Sequence, residues 1–73
     1  MTTETLEVLH RWQTNSKRYR YWCEINPCDN GMFCVSTEAS NAFMPTLGEA
    51  LEWAERGIAL DTRTHSRKWR KVI

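Results

Sequence analysis

The chain has 73 residues, with ten Lys and Arg against nine Asp and Glu and a formal net charge of +1. One domain of this length buries only about 60% of the surface that its unfolded chain exposes, so we expect a single domain with a small core and little room for an enzyme cleft. The near-neutral charge excludes a molecule-wide electrostatic field that would demand a nucleic acid or a membrane as partner.

The first predicted element spans residues 5–13. Alternation of apolar and polar residues favours a strand with four side chains on one side, whereas Leu9 falls outside the alternation and leaves a short helix as the alternative. The four side chains are those of Leu6, Val8, His10 and Trp12. Residues 14–17 have the composition of a turn.

The next strand, predicted over residues 18–26, alternates without interruption. We expect one face to pack on the core, with the side chains of Tyr19, Tyr21, Cys23 and Ile25. The opposite face, which we expect to be exposed to solvent, carries Arg18, Arg20, Trp22 and Glu24. Of the four tryptophans, we expect Trp22 and Trp53 to add to the core, because each indole ring buries a large apolar area.

A β-hairpin is predicted to follow this strand. Pro27 lacks a backbone donor and ends the strand, while Asn30-Gly31 tolerates the positive φ of a tight turn. The return strand is predicted over residues 32–38, and a fourth, brief strand over residues 42–44.

The main helix is predicted over residues 46–57. Thr46 is its N-cap, Glu49 completes a capping box three residues later, and Gly57 is a stop or a weak point. Helical spacing forms an apolar stripe from Leu47, Ala50, Leu51, Ala54 and Ile58. The opposite face is acidic and carries Glu49, Glu52 and Glu55.

The C-terminal segment, residues 62–73, is basic. It contains five of the ten basic residues and no acidic residue. Residues 1–61 therefore contain five basic and nine acidic residues, a net charge of −4. The five are Arg63, Arg67, Lys68, Arg70 and Lys71. An N-cap at Asp61 or Thr62 would start a second helix through residues 65–73, but a strand or a loose tail fits the same residues.

Three cysteines surround the hairpin turn, and their spacing argues against a metal site. Structural zinc draws on ligands paired about two to four residues apart. Cys23, Cys28 and Cys34 have four and five residues between them and no second pair, and His10 and His65 are distant in sequence. We therefore predict no bound metal and no cofactor.

A Cys23–Cys34 disulfide depends on the hairpin register. The two cysteines lie on the same face only if the two residue numbers of each cross-strand pair add up to an odd number. A register that places Ile25 opposite Phe33 or Val35 gives an even sum instead. Apolar matching favours the even register and three free thiols that act as small apolar fillers. Reduced thiols, the absence of a ~20-residue apolar span and a start unlike a secretory signal together favour a cytoplasmic protein.

No pattern in the sequence assembles a catalytic site. The chain lacks a glycine-rich phosphate loop, clustered acids for metal-dependent phosphoryl chemistry, and a thiol placed beside a histidine and an orienting acid. We therefore expect a protein that is not an enzyme.

Residues 21–38, YWCEINPCDNGMFCVSTE, followed by residues 46–58, TLGEALEWAERGI, resemble the HicB-type antitoxins. The pattern of that family is a Y-x-V-x-I-E strand, an acidic turn with Gly, a Y-V-V-type strand and a T-L-E-E-A-L-x-x-A helix. The residues matched to the helix are Thr46, Leu47, Glu49, Ala50, Leu51 and Ala54. The resemblance covers about half of the chain.

This resemblance implies a partial RNase-H-like fold, a small antiparallel sheet backed by a helix, that binds and blocks a small toxin RNase. Many members add a DNA-binding segment. Where the family has D-L-P-G-C-x-T-x-G-D, this chain has EASNAFMP, and residues 1–18 have no counterpart. Other small phage and mobile-element domains, built from a hairpin and a helix, are similar as well, so the motif specifies architecture better than partner.

The predicted fold is α+β, a three- to four-stranded antiparallel sheet packed on helix 46–57. We expect a small non-enzymatic protein that regulates or inhibits a protein partner, for example a basic toxin or nuclease. The predicted contacts are Arg18, Arg20, Trp22 and Glu24 on the hairpin, or Glu49, Glu52 and Glu55 on the helix.

Two other functions are open. A nucleic-acid-binding module would hold phosphates with basic side chains around a tryptophan. Its residues would be Lys17, Arg63, Arg67, Lys68, Trp69, Arg70 and Lys71. Exposed edge strands also permit a small structural subunit of a homodimer or larger homo-oligomer. A membrane partner is not expected.

Overall fold

Five strands and one helix make up the part of the chain that this computed structural model describes, residues 7–14 and 20–73. They are β1 (His10–Thr14), β2 (Trp22–Pro27), β3 (Phe33–Thr37), β4 (Asn41–Met44), α1 (Leu47–His65) and β5 (Trp69–Lys71). The sheet order is β4-β3-β2-β1-β5, and every neighbouring pair is antiparallel. The predicted α+β fold is confirmed, with five strands instead of three or four.

The β2–β3 hairpin adopts the even register. Ile25 lies opposite Val35, and Cys23 lies opposite Thr37 while Cys34 lies opposite Asn26. Because side chains alternate between the faces of a sheet, Cys23 and Cys34 point to opposite sides. All three cysteines are free thiols. The register predicted from apolar matching is therefore confirmed.

The hairpin loop is longer than the two-residue turn suggested by Asn30-Gly31. The Cys28 amide donates to the Met32 carbonyl at 2.8 Å, and the Gly31 amide donates to the Cys28 carbonyl at 3.2 Å. Within this loop Gly31 alone has a positive φ, 83°, and the Asn30 side chain accepts from the Met32 amide at 3.1 Å. The glycine supplies the left-handed conformation and the asparagine braces the loop.

Helix α1 begins as predicted and ends eight residues later than predicted, at His65 instead of residue 57. The Thr46 side chain accepts from the Glu49 amide at 3.1 Å, which confirms the N-cap. The expectation of a stop at Gly57 was wrong, because a mid-helix glycine costs only about 1 kcal/mol and the buried stripe continues past it through Ile58. The helix ends at His65, and Ser66 is its C-cap: Ser66 has φ 57°, and its amide donates to the Thr62 carbonyl at 2.9 Å.

The basic C-terminal segment forms the last turn of α1 and then strand β5. Asp61 and Thr62 therefore cap no second helix. Strand β5 pairs with β1, so that Trp69 lies opposite Thr14 and Lys71 opposite Trp12. The amides of residues 72 and 73 both donate to the Arg11 carbonyl, at 2.8 and 3.3 Å. This two-against-one pairing is a β-bulge, and the Arg11 amide donates back to the Ile73 carbonyl at 3.1 Å.

Strand β1 is shorter than its prediction. It starts at His10, although the Leu9 amide already donates to the Ile25 carbonyl at 2.9 Å. Thr14 belongs to the strand and not to a turn. The expectations for Leu6, for Lys17 to Tyr19 and for the rest of the predicted turn lie outside the described residues. Trp12, for which no burial was predicted, is buried.

The core lies between α1 and one face of the sheet. Its buried residues are Trp12, Cys23, Ile25, Val35, Ala50 and Ala54. The expectation that Trp53 adds to the core was wrong, since 53% of it is exposed. Ala50 and Ala54 face the sheet. Trp53 comes one residue before Ala54, so its side chain is rotated about 100° around the helix axis from that of Ala54 and points away from the core. The same expectation for Trp22 was also wrong, because its half-buried side chain lies on the other face of the sheet and does not belong to the core. Among the described residues, Trp12 is the buried tryptophan, 7% exposed.

Candidate functional site

The face of the sheet opposite α1 is covered by none of the described elements. We call it the open face. Strand pairing places on it the side chains of Arg11, Gln13, Trp22, Glu24, Asn26, Cys34, Ser36, Asn41, Phe43 and Arg70. Phe43 is 57% exposed on edge strand β4 and Trp22 is half-buried on β2. The predicted contacts Trp22 and Glu24 lie on this face.

Charges on the open face are largely paired. Arg11 forms an ion pair with Glu24 across the β1–β2 pair, and its Nε donates to the Gln13 side chain at 3.2 Å. The Arg11 guanidinium also lies 5.4 Å from the centre of the Trp22 ring. Among the described side chains of this face, Arg70 is the cation without an ion pair. Arg20 is exposed just before β2, and Arg18 is outside the described residues.

The acidic side of α1 lies on the other side of the molecule from the open face. Glu49, Glu52 and Glu55 are exposed there, and Glu52 forms an exposed ion pair with Arg56 at 3.7 Å. The two alternative sets of predicted contacts are therefore two separate surfaces. One partner surface of ordinary size would contact one set or the other.

The predicted nucleic-acid residues do not form one continuous basic patch. Arg67 is ion-paired with Asp61 at 2.5 Å, and the Trp69 indole donates to the same carboxylate at 2.8 Å. Arg70 and Lys71 point to opposite faces of the sheet because they are consecutive in β5. Arg63 and Lys68 are exposed, and Lys17 is outside the described residues.

A cleft between the second half of α1 and the sheet is the feature that the sequence interpretation missed. Its volume is about 190 Å³. Its walls include Tyr21, Trp53, Ile58 and Trp69, together with the acidic residues Glu38 and Asp61. We call it the aromatic cleft. Its residues come from four separate parts of the sequence, so no local pattern could have indicated it.

Cys23 lines the floor of the aromatic cleft, and its environment makes it a poor nucleophile. Burial raises the pKa of its thiol to about 11, and the nearby Glu38 and Glu24 carboxylates act in the same direction. A thiol with this pKa is almost entirely protonated near neutral pH. Within the described residues, no group of three or more His, Cys, Asp and Glu is arranged to hold a metal ion.

Comparisons with known proteins add no assignment: no family model, no curated protein and no solved structure matches this chain. Among the described residues, no helix is both long and apolar enough to cross a membrane.

Proposed function

We propose that this chain is a small non-enzymatic binding protein that regulates or inhibits a protein partner, and that it contacts this partner through the open face of its sheet. The observation that carries the proposal is the exposure of Phe43, 57%, on a sheet face that no described element covers. A small domain that leaves a mixed apolar and polar face uncovered exposes surface suited to a partner.

The chemistry of the open face supports protein over nucleic acid. Aromatic side chains and arginines are enriched in protein interfaces, and Trp22, Phe43, Arg11 and Arg70 supply both types here. Binding of nucleic acid depends on several free cations facing the phosphates. On the open face the Arg11 charge is already paired with Glu24, and in the basic segment the Arg67 charge is paired with Asp61.

The regulatory part of the proposal comes from the HicB-type resemblance, which implies the inhibition of a toxin. A basic toxin or nuclease would also be complementary to the acidic side of α1, where Glu49 and Glu55 have no ion pair among the described residues. The open face is nevertheless the better primary contact, because exposed rim charges contribute less affinity than buried aromatic anchors.

Site-specific photo-crosslinking tests the proposal. A photoreactive phenylalanine analogue replaces Phe43 in one variant and Leu60 in a control variant; Leu60 is 56% exposed on α1, away from the open face. In cells of the native host, we expect a protein adduct from position 43 and little or none from position 60. Circular dichroism of both variants checks that each is folded.

The other functions predict different adducts. A nuclease-sensitive adduct from position 43 would favour a nucleic-acid module, and an adduct of twice the chain mass would favour a homodimer. An adduct from position 60 alone would move the contact to α1. Each of these results contradicts a protein partner, different from this chain, on the open face.

A further inference from the structure

The aromatic cleft has the size of one long side chain. Its volume of about 190 Å³ is several times the ~30 Å³ that a water molecule occupies in the liquid. It is smaller than the ~300–1,000 Å³ of pockets that bind drug-sized ligands. The cleft therefore suits a single side chain of a partner better than a nucleotide or a large cofactor.

The walls of the cleft favour a cation. Tyr21, Trp53 and Trp69 line it, and a cation near the face of such a ring is attracted by the π electrons. The chain already uses this chemistry at the edge of the cleft: the Arg67 guanidinium lies 3.9 Å from the centre of the Tyr21 ring and is ion-paired with Asp61 at 2.5 Å. Trp53 is 53% exposed and so leaves ring surface available.

The two carboxylates of the cleft differ in whether they have an oxygen without a hydrogen-bond partner. Both oxygens of Asp61 are occupied, Oδ1 by Arg67 and Oδ2 by the Trp69 indole. Glu38 accepts the Trp22 backbone amide at 2.9 Å with Oε1, while Oε2 has no hydrogen bond or ion pair with any described residue. Among the described residues, the lining contains no cationic side chain. Glu38 is therefore a positioned negative charge with one free oxygen.

We infer that the aromatic cleft receives a lysine side chain of the protein partner, with its aliphatic stem against Trp53 and its ammonium group bound to Oε2 of Glu38. One free carboxylate oxygen matches the compact ammonium group, whereas the guanidinium of arginine binds best to two oxygens at once. The inference rests on the proposed function only in taking the partner to be a protein. It adds a second contact, on the side of the sheet that carries α1.

A titration followed by NMR tests this inference without knowledge of the partner. The probe is N-acetyl-lysine methylamide, added to the ¹⁵N-labelled full chain while the four indole N–H signals are observed. We expect saturable shifts of the Trp53 and Trp69 signals at millimolar concentrations of the probe. The norleucine analogue, which keeps the stem but lacks the ammonium group, is expected to cause much smaller shifts.

Two variants give the matched comparison. Glu38→Gln keeps an oxygen for the Trp22 amide and removes the charge, and we expect it to weaken lysine binding about tenfold, as the loss of a charge-assisted hydrogen bond would. Glu7→Gln removes the same charge from an exposed position before β1, outside both sets of predicted contacts, and is expected to bind the probe like the unsubstituted chain. The backbone amide spectrum of each variant confirms its fold.

N-acetyl-arginine methylamide is titrated in the same way. The inference is overturned if the indole signals do not move, if norleucine binds as well as lysine, if the arginine probe binds more tightly, or if Glu38→Gln has no effect. The proposed function has its own test, since crosslinking from Phe43 reports on the open face and does not involve the cleft. If lysine does not bind and position 43 still gives a protein adduct, the inference about the cleft is wrong and the proposed function stands.

Discussion

The Trp69 indole Nε1–H donates to Oδ2 of Asp61 at 2.8 Å, and this bond joins edge strand β5 to helix α1. Arg67 occupies the other oxygen of the same carboxylate at 2.5 Å. One aspartate on the helix therefore holds the segment that returns the chain to the sheet. A strand of only three residues has few ladder bonds of its own, so this side-chain anchor contributes to its position.

Replacement of Asp61 with Ala is expected to lower the free energy of unfolding by about 1–2 kcal/mol, because the Trp69 indole and the Arg67 guanidinium both lose a partly buried partner. Urea denaturation measures the change. Glu55→Ala, an exposed carboxylate of the same helix, is the control and should be within about 0.5 kcal/mol of the unsubstituted chain. Equal stabilities of the two variants would contradict the anchor. Hydrogen exchange of the Arg70 and Val72 amides, which face β1, should be faster in the Asp61 variant.

Gly31→Ala is expected to destabilise the protein by about 1 kcal/mol or more. Gly31 has φ 83°, a conformation that costs an L-amino acid free energy, while the space where a Cβ would stand is open. The penalty therefore comes from the backbone alone. Gly31→Asn should recover part of the stability, because asparagine tolerates the left-handed region better than alanine does. Equal stability of the alanine variant and the native chain would argue against this loop geometry.

Gly57→Ala should have the opposite effect and raise the free energy of unfolding by about 0.5–1 kcal/mol. Gly57 lies inside α1, and beyond its chain neighbours and the helix backbone no atom lies within 4 Å of the position that a Cβ would take. Alanine is the better helix former because it loses less backbone entropy on folding. Thermal unfolding followed by circular dichroism measures the difference. Destabilisation by this substitution would mean that the helix does not continue through residue 57.

Alkylation by iodoacetamide should distinguish the three thiols. Cys23 is only 4% exposed and burial raises its pKa to about 11, so at pH 8 roughly one molecule in a thousand carries the thiolate. We expect Cys23 to react last in the folded chain, after Cys28 and Cys34, and all three to react alike in urea. Peptide mapping by mass spectrometry follows each site. Fast modification of Cys23 would contradict its burial.

The raised pKa of Cys23 also predicts how stability depends on pH. The unfolded chain releases this proton near its ordinary pKa of 9.0, whereas the folded chain holds it up to about 11. The unfolded state therefore binds fewer protons between those values, and the free energy of unfolding falls as the pH rises from 9 to 11. Cys23→Ala should lose this component of the decrease, and identical pH profiles for both chains would contradict the assignment.

Several features could be predicted from interactions between residues that are close together in the sequence. Thr46 caps α1 because its hydroxyl reaches the Glu49 amide within the same turn, and this needs no distant residue. The register of the β2–β3 hairpin follows from matching Ile25 with Val35, since a shift by one residue would turn the apolar side chains toward solvent. The open-face positions of Trp22 and Glu24 follow from the same alternation.

The sequence by itself determined the hairpin, its register, the start of the helix and the α+β class, because each depends on residues that are close together along the chain. Tertiary structure decided the rest. Burial of Ile58 against the sheet carries α1 through Gly57, pairing with β1 makes residues 69–71 a strand, and their return brings Asp61, Trp69 and Tyr21 together at the aromatic cleft. Contacts between residues so far apart in sequence leave no local pattern, because their free energy is gained only once the chain has closed on itself.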